Sequence, residues 1–109
     1  MPLANQLVVE ARWAKAWLFD AALPFWRERG LDREGYVEKF TATGELIVSP
    51  RRALVQCRQI YSFCEAGRLG WSGDWRGGVE AGLAAVRANH RLPEGPLAFS
   101  SGENADRRI

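Results

Sequence analysis

From Ala4 to about Arg29, apolar residues return every three or four positions. Leu7, Ala11, Ala14, Leu18 and Ala22 share one stripe, which Trp13, Trp17 and Phe19 widen. Arg12, Asp20 and Glu28 leave a polar strip, so the spacing predicts a helix. Pro24 falls inside this run. A proline there removes one backbone hydrogen bond and crowds the preceding turn, which predicts a kink or a break near Ala22–Pro24. Gly30 supplies a C-terminal stop.

The pattern then changes period. Gly35 and Gly44 bracket Tyr36-Val37-Glu38-Lys39-Phe40-Thr41, an alternating run carrying β-branched and aromatic residues, and Leu46-Ile47-Val48 is a second short extended candidate. A small hairpin or an irregular loop is expected over 31–49.

Ser49-Pro50 reads as a helix start, with serine at the N-cap and proline in the first helical position. The helix is predicted to run from Pro50 to Gly67 or Arg68, which makes Arg51 and Arg52 solvated first-turn residues. On a wheel of about 100° per residue, Leu54, Val55, Tyr61, Ser62, Glu65 and Leu69 lie within about 60° of Arg58, and Ile60, Phe63 and Cys64 lie on the far side. A helix apolar on opposite faces is covered on both. This pattern predicts an inner helix of a layered all-α structure, one side lining a cavity and the other packed on an outer helix.

A further helix is predicted from Asp74 to Asn89, with Val79, Leu83 and Val86 as its apolar ridge and Gly77, Gly78 and Gly82 permitting close approach of a neighbour. Pro93, Gly95, Pro96 and Gly102 read as turns around a short Leu97-Ala98-Phe99 strand. The stretch Glu103–Ile109 carries no helix signal.

Composition sharpens this only in part. With 47% hydrophobic and 26% charged residues the chain has a globular balance rather than a disordered one, and 109 residues make one domain at most. Five tryptophans and five phenylalanines are a heavy aromatic load that suits a core, and also a surface awaiting a partner. The net charge is only +2, and the arginines are scattered singly or in pairs, so no basic stripe points to nucleic acid. Lys15, Asp20 and Arg27 break the apolar runs, which argues against a membrane span, and the start lacks the pattern of a signal peptide. Cys57 and Cys64 are too far apart on one helix to bridge, and read as buried free thiols of a cytoplasmic protein.

Candidate chemistry is sparse. One histidine and two cysteines without ligand spacing exclude a convincing zinc site, no glycine-rich loop follows a strand to hold phosphate, and no cofactor is called for. His90, at a helix end, reads as a capping or surface residue without a nucleophile beside it. Arg58 is the informative position. A guanidinium stays charged, yet this one sits among Leu54, Val55, Tyr61 and Leu69. Periodicity alone favours an ion pair with Glu65 or an acid elsewhere. A cavity-facing arginine that binds ligand oxygens is the alternative.

The segment Arg51-Arg52-Ala53-Leu54-Val55-Gln56-Cys57-Arg58-Gln59-Ile60-Tyr61-Ser62-Phe63-Cys64, followed by Gly67-Arg68-Leu69-Gly70-Trp71, resembles the N-acylglucosamine 2-epimerase family, which includes mannose isomerases and cellobiose 2-epimerases. Trp17-Leu18-Phe19-Asp20, Leu23-Pro24-Phe25-Trp26 and Gly35-Tyr36-Val37-Glu38 resemble its opening helix and loop. Phe99-Ser100 and Asp106 resemble the strand before its next motif. The resemblance implies an (α/α)6 barrel whose inner helices surround a sugar cleft. It implies cofactor-independent isomerisation or 2-epimerisation of aldoses such as mannose or N-acylglucosamine through an enediol. Arg58 then becomes the catalytic and substrate-binding residue at the sugar's carbonyl end, with Tyr61 as a further substrate contact.

The family's enzymes are several times longer, and their proton-transferring histidines come from later inner helices that 1–109 does not reach; His90 is not matched to them. The chain is therefore expected to be the N-terminal part of one barrel domain, inactive alone, whose partner is the rest of the barrel or a second copy. A non-catalytic helical interaction module that keeps the inner-helix pattern is the competing reading.

Overall fold

The computed structural model describes residues 2–102 and 105–108, so Met1, Glu103, Asn104 and Ile109 lie outside the description. The chain is mostly helical. Helix α1 (Leu3–Trp17) continues through a π-helical turn (Leu18–Ala22) into α2 (Leu23–Arg29). Strands β1 (Leu31–Asp32) and β2 (Gly35–Tyr36) pair antiparallel, and β3 (Arg51–Arg52) leads into α3 (Ala53–Arg68). Helix α4 (Trp75–Asn89) packs beside α3, and β4 (Ser100–Ser101) returns to pair antiparallel with β3.

Pro24 changes the helical register without breaking the rod. The Leu23 N–H reaches back five residues to the Leu18 carbonyl. In that register Pro24 would be the donor to Phe19, and having no N–H it leaves the Phe19 carbonyl open. The Trp71 indole Nε1–H fills it at 3.2 Å. Gly30 closes α2 as expected, for a packing reason: a β-carbon there would lie 2.3 Å from Cε3 of Trp26.

Leu23, Tyr36, Phe63, Ala66 and Trp71 form the core, with Phe19, Trp26, Leu31, Ile60, Trp75 and Val79 packed against it. Tyr36 stacks on Phe63 with centroids 5.7 Å apart and donates its hydroxyl to the Gly78 carbonyl at 2.7 Å. Burial pushes the Tyr36 phenol up to about 12, so it remains a donor. Gln56, fully buried, accepts from the Tyr36 N–H (2.6 Å) and donates to the Tyr36 carbonyl (2.7 Å), replacing a strand neighbour. Asp74 caps α4 through the Gly77 N–H (2.9 Å), while its other oxygen takes Arg27 of α2 at 2.8 Å. The Gly77 hydrogen bond first, and Arg27 second, hold its carboxyl below the ordinary value.

Several expectations are corrected. Helix α3 begins at Ala53, not Pro50, because Arg51 and Arg52 are drawn into β3. Arg51 is buried rather than solvated, since Asp32 and the Gly35 carbonyl take its guanidinium. The strand near the C-terminus is Ser100–Ser101, and Leu97 makes only an isolated bridge to Arg91. In the 31–49 region the small hairpin expected is present as β1–β2, while the two extended candidates further on meet only in an isolated Phe40–Leu46 bridge. Of the predicted α4 ridge, Val86 is buried and Val79 packs against the core, but Leu83 is exposed, and Gly78, Gly82 and Ala85 complete the buried face. Cys57 and Cys64 are free but exposed. His90 ends α4 and is fully buried, with Nδ1 against the Ala98 carbonyl and Nε2 against Ser101 Oγ, both at 3.3 Å.

None of α1 is buried, and Leu3, Leu7, Trp13 and Trp17 stand exposed. The radius of gyration is 16.2 Å, against about 13 Å for a compact chain of this length. No helix among the described residues is long and apolar enough to cross a membrane.

Candidate functional site

The candidate site is the outward face of α3, and its position is set by the residues that start the helix. The first N–H groups of a helix have no partner within it. Here the Arg52 N–H donates to Glu38 Oε1 (2.9 Å) and the Ala53 N–H to the Phe99 carbonyl (2.8 Å). No side chain caps the helix from within. Burial pushes the Glu38 carboxyl up, but hydrogen bonds from the Arg52 side chain and backbone outweigh it and leave it below its ordinary value. The negative charge also sits favourably at the helix N-terminus. Asp32 is held down chiefly by the Arg51 hydrogen bonds.

Rotation about the helix axis is fixed by Gln56, Phe63 and Ala66, the buried residues of α3. The opposite face carries Leu54, Arg58 and Tyr61, all exposed, with Tyr61 66% accessible. The predicted cover on both faces is therefore present on one alone among the described residues. Glu65 is not Arg58's partner. It pairs with Arg68 at 2.7 Å, one turn along the helix, and among the described residues Arg58 makes no ion pair. The structure thus brings Arg58 and Tyr61 onto one open surface with Leu54 and Leu69, and the intramolecular ion pair is overturned for Glu65.

A cleft of about 610 Å³ lies elsewhere, between α2 and the loop before α4, lined by Pro24, Arg27, Glu28, Trp71, Ser72 and Asp74 among others. Its charged wall is the internal Arg27–Asp74 pair. Among the described residues no three of His, Cys, Asp or Glu gather closely enough to hold a metal ion.

Sequence reasoning missed the residues that aim this face. Gln56, Arg51, Asp32 and Glu38 carry it, and only the adjacent pair Arg51-Arg52 ahead of the helix was a visible signal.

The family model for N-acylglucosamine 2-epimerase (GlcNAc 2-epimerase) matches residues 35–107, which include β2, β3, α3, α4 and β4. A mannose-6-phosphate isomerase of Rhizobium meliloti (strain 1021) is 44% identical over 95 residues, covering 85% of this chain and 24% of the relative. The chain thus spans about a quarter of the length of that relative. With the family model matched over most of its residues and Arg58 inside the match, the chain belongs to the N-acylglucosamine 2-epimerase family.

Proposed function

We propose that this chain is the opening part of an (α/α)6 barrel that isomerises or 2-epimerises an aldose, with Arg58 as its sugar-binding cation. The observation that carries this reading is an arginine on an exposed apolar and aromatic helix face, with the nearby carboxylate of Glu65 engaged by Arg68 instead. Removing a proton from the carbon beside a carbonyl leaves negative charge on oxygen. A guanidinium fixed by a packed helix offsets that charge without reorganising, and is worth more once water is excluded. Tyr61, one turn further on, offers a ring and a hydroxyl to a sugar. The groups that remove and return the proton would come from polypeptide outside these 109 residues, where cover for the Arg58 face would also lie.

The name of the relative favours a mannose-type substrate and aldose–ketose isomerisation over 2-epimerisation. Exposed free thiols fit a reducing compartment, and the cytoplasm is the proposed location. A non-catalytic interaction module is the competing function, supported by the uncovered length of α1. Arg58→Ala in a polypeptide of the relative's length separates the two. The catalytic reading expects turnover to fall about 100- to 1,000-fold with the fold retained. An unchanged rate supports the interaction module.

A further inference from the structure

Helix α3 holds Tyr36 at two points two turns apart. At the first, the Gln56 amide takes both backbone polar groups of Tyr36: Oε1 accepts from the N–H at 2.6 Å and Nε2 donates to the carbonyl at 2.7 Å. At the second, Phe63 stacks on the Tyr36 ring with centroids 5.7 Å apart. Seven residues span about 10 Å of helix and bring the side chain back to nearly the same direction. Two such points on one side fix both the rotation of α3 and its tilt. The Tyr36 end is itself anchored. Its hydroxyl donates to the Gly78 carbonyl of α4 at 2.7 Å, and the preceding Gly35 carbonyl takes Arg51 at 2.9 Å. Gly35 has φ +107°, and a β-carbon there would lie 2.5 Å from Gln56 Oε1, so this backbone is shaped to admit the amide.

Arg58 lies two residues beyond Gln56, about 200° round the helix. Gln56, Phe63 and Ala66 are the buried residues of α3, and of these three Gln56 alone makes side-chain hydrogen bonds, which are directional where packing is not. At the rim of a helix about 10–12 Å across, a turn of about 10° carries a side chain by about 1 Å. A misplacement of about 1 Å can cost about 100-fold in rate. Given the sugar-binding reading of Arg58, on which this step rests, we infer that Gln56 is a positioning residue for turnover: through Tyr36 it sets the angle at which α3 presents Arg58 to the sugar oxygen. Gln56 is fully buried on the side away from Arg58, and so acts through the helix rather than on the substrate.

A double-substitution cycle on the turnover number, in a polypeptide of the relative's length, tests this, with circular dichroism recorded on every sample. Gln56→Met keeps the bulk of the side chain and removes both hydrogen bonds. Gln56→Asn keeps the amide and withdraws it by one methylene. Each should lower turnover about 10- to 100-fold with the protein still folded. In an Arg58→Ala background each should change it by less than about twofold, because no guanidinium is left to aim. A side chain that serves the fold alone would give equal losses in both backgrounds, which overturns the proposal and leaves Arg58 as the sugar-binding cation. Turnover that ignores Gln56→Met, or a failure of both variants to fold, overturns it as well. Full activity of Arg58→Ala removes the sugar-binding reading, and the positioning role falls with it.

Discussion

His90 shows how much one side chain can hold. It is fully buried at the end of α4, and its neutral ring suits both neighbours: Nδ1–H donates to the Ala98 carbonyl and Nε2 accepts from Ser101. Burial first, with Arg107 adding to it, holds the ring below its ordinary 6.5, against the pull of the Ala98 hydrogen bond. Arg107 stands nearby because it donates to the Asn89 and Ser100 carbonyls. The fold keeps the uncharged form, so its contribution is complete above about pH 6.5 and is lost as pH falls through the lowered value. Asp32 and Glu38 titrate further into acid. The urea midpoint should therefore drop between about pH 7.5 and pH 5.5, and this drop should flatten in His90→Ala. The same substitution should cost roughly 2–4 kcal/mol at neutral pH, from the cavity and from two polar groups left unpaired. A midpoint that ignores His90→Ala would show the ring to be dispensable.

At the scale of elements, the glycines of α4 set how closely α3 and β2 approach it. A β-carbon on Gly82 would fall 2.7 Å from Cε2 of Tyr36 and 2.8 Å from Cγ1 of Ile60. Alanine is the better helix former by about 1 kcal/mol, but forcing a methyl into a filled space costs about 1–3 kcal/mol. Gly82→Ala should thus destabilise despite its propensity, measured by denaturant unfolding; a stabilised variant would mean that the interface can open at little cost. The helices were legible because their spacing is local: α4 begins at Trp75, one residue after the predicted start, and the rod ends at Gly30. The start of α3 was not. Ser49-Pro50 carries a good local start signal, and it loses to β4, Asp32 and Glu38, which lie far away in sequence and draw Arg51 and Arg52 into a strand. His90 escaped for the same reason, since its partners Ala98 and Ser101 lie across a turn. Arg58 was legible as an oddity of composition on a helix face, whereas Gln56, which sets the direction of that face, looked like an ordinary polar residue.

At the scale of the molecule, α1 and the Arg58 face of α3 both stand uncovered among the described residues. Both belong to a family member that spans about a quarter of its matched relative. A site for proton transfer needs a base and an acid on either side of the sugar, shielded from water. The open face of α3 presents a cation and a phenol but no such pair. Chain 1–109 alone should therefore show no mannose–fructose interconversion and no 2-epimerisation. Turnover by the pure chain, scaling with its concentration, would contradict the division of the site between this chain and further polypeptide.

The central claim is that Arg58 serves a ligand rather than the fold, and its most direct test is the turnover number of Arg58→Ala in a polypeptide of the relative's length. Circular dichroism and the thermal midpoint are recorded on the same sample. The account predicts a fall of about 100- to 1,000-fold in turnover with the midpoint unchanged, since Arg58 is exposed and makes no ion pair among the described residues. Full activity, or a loss of activity matched by a loss of folded protein, would contradict it.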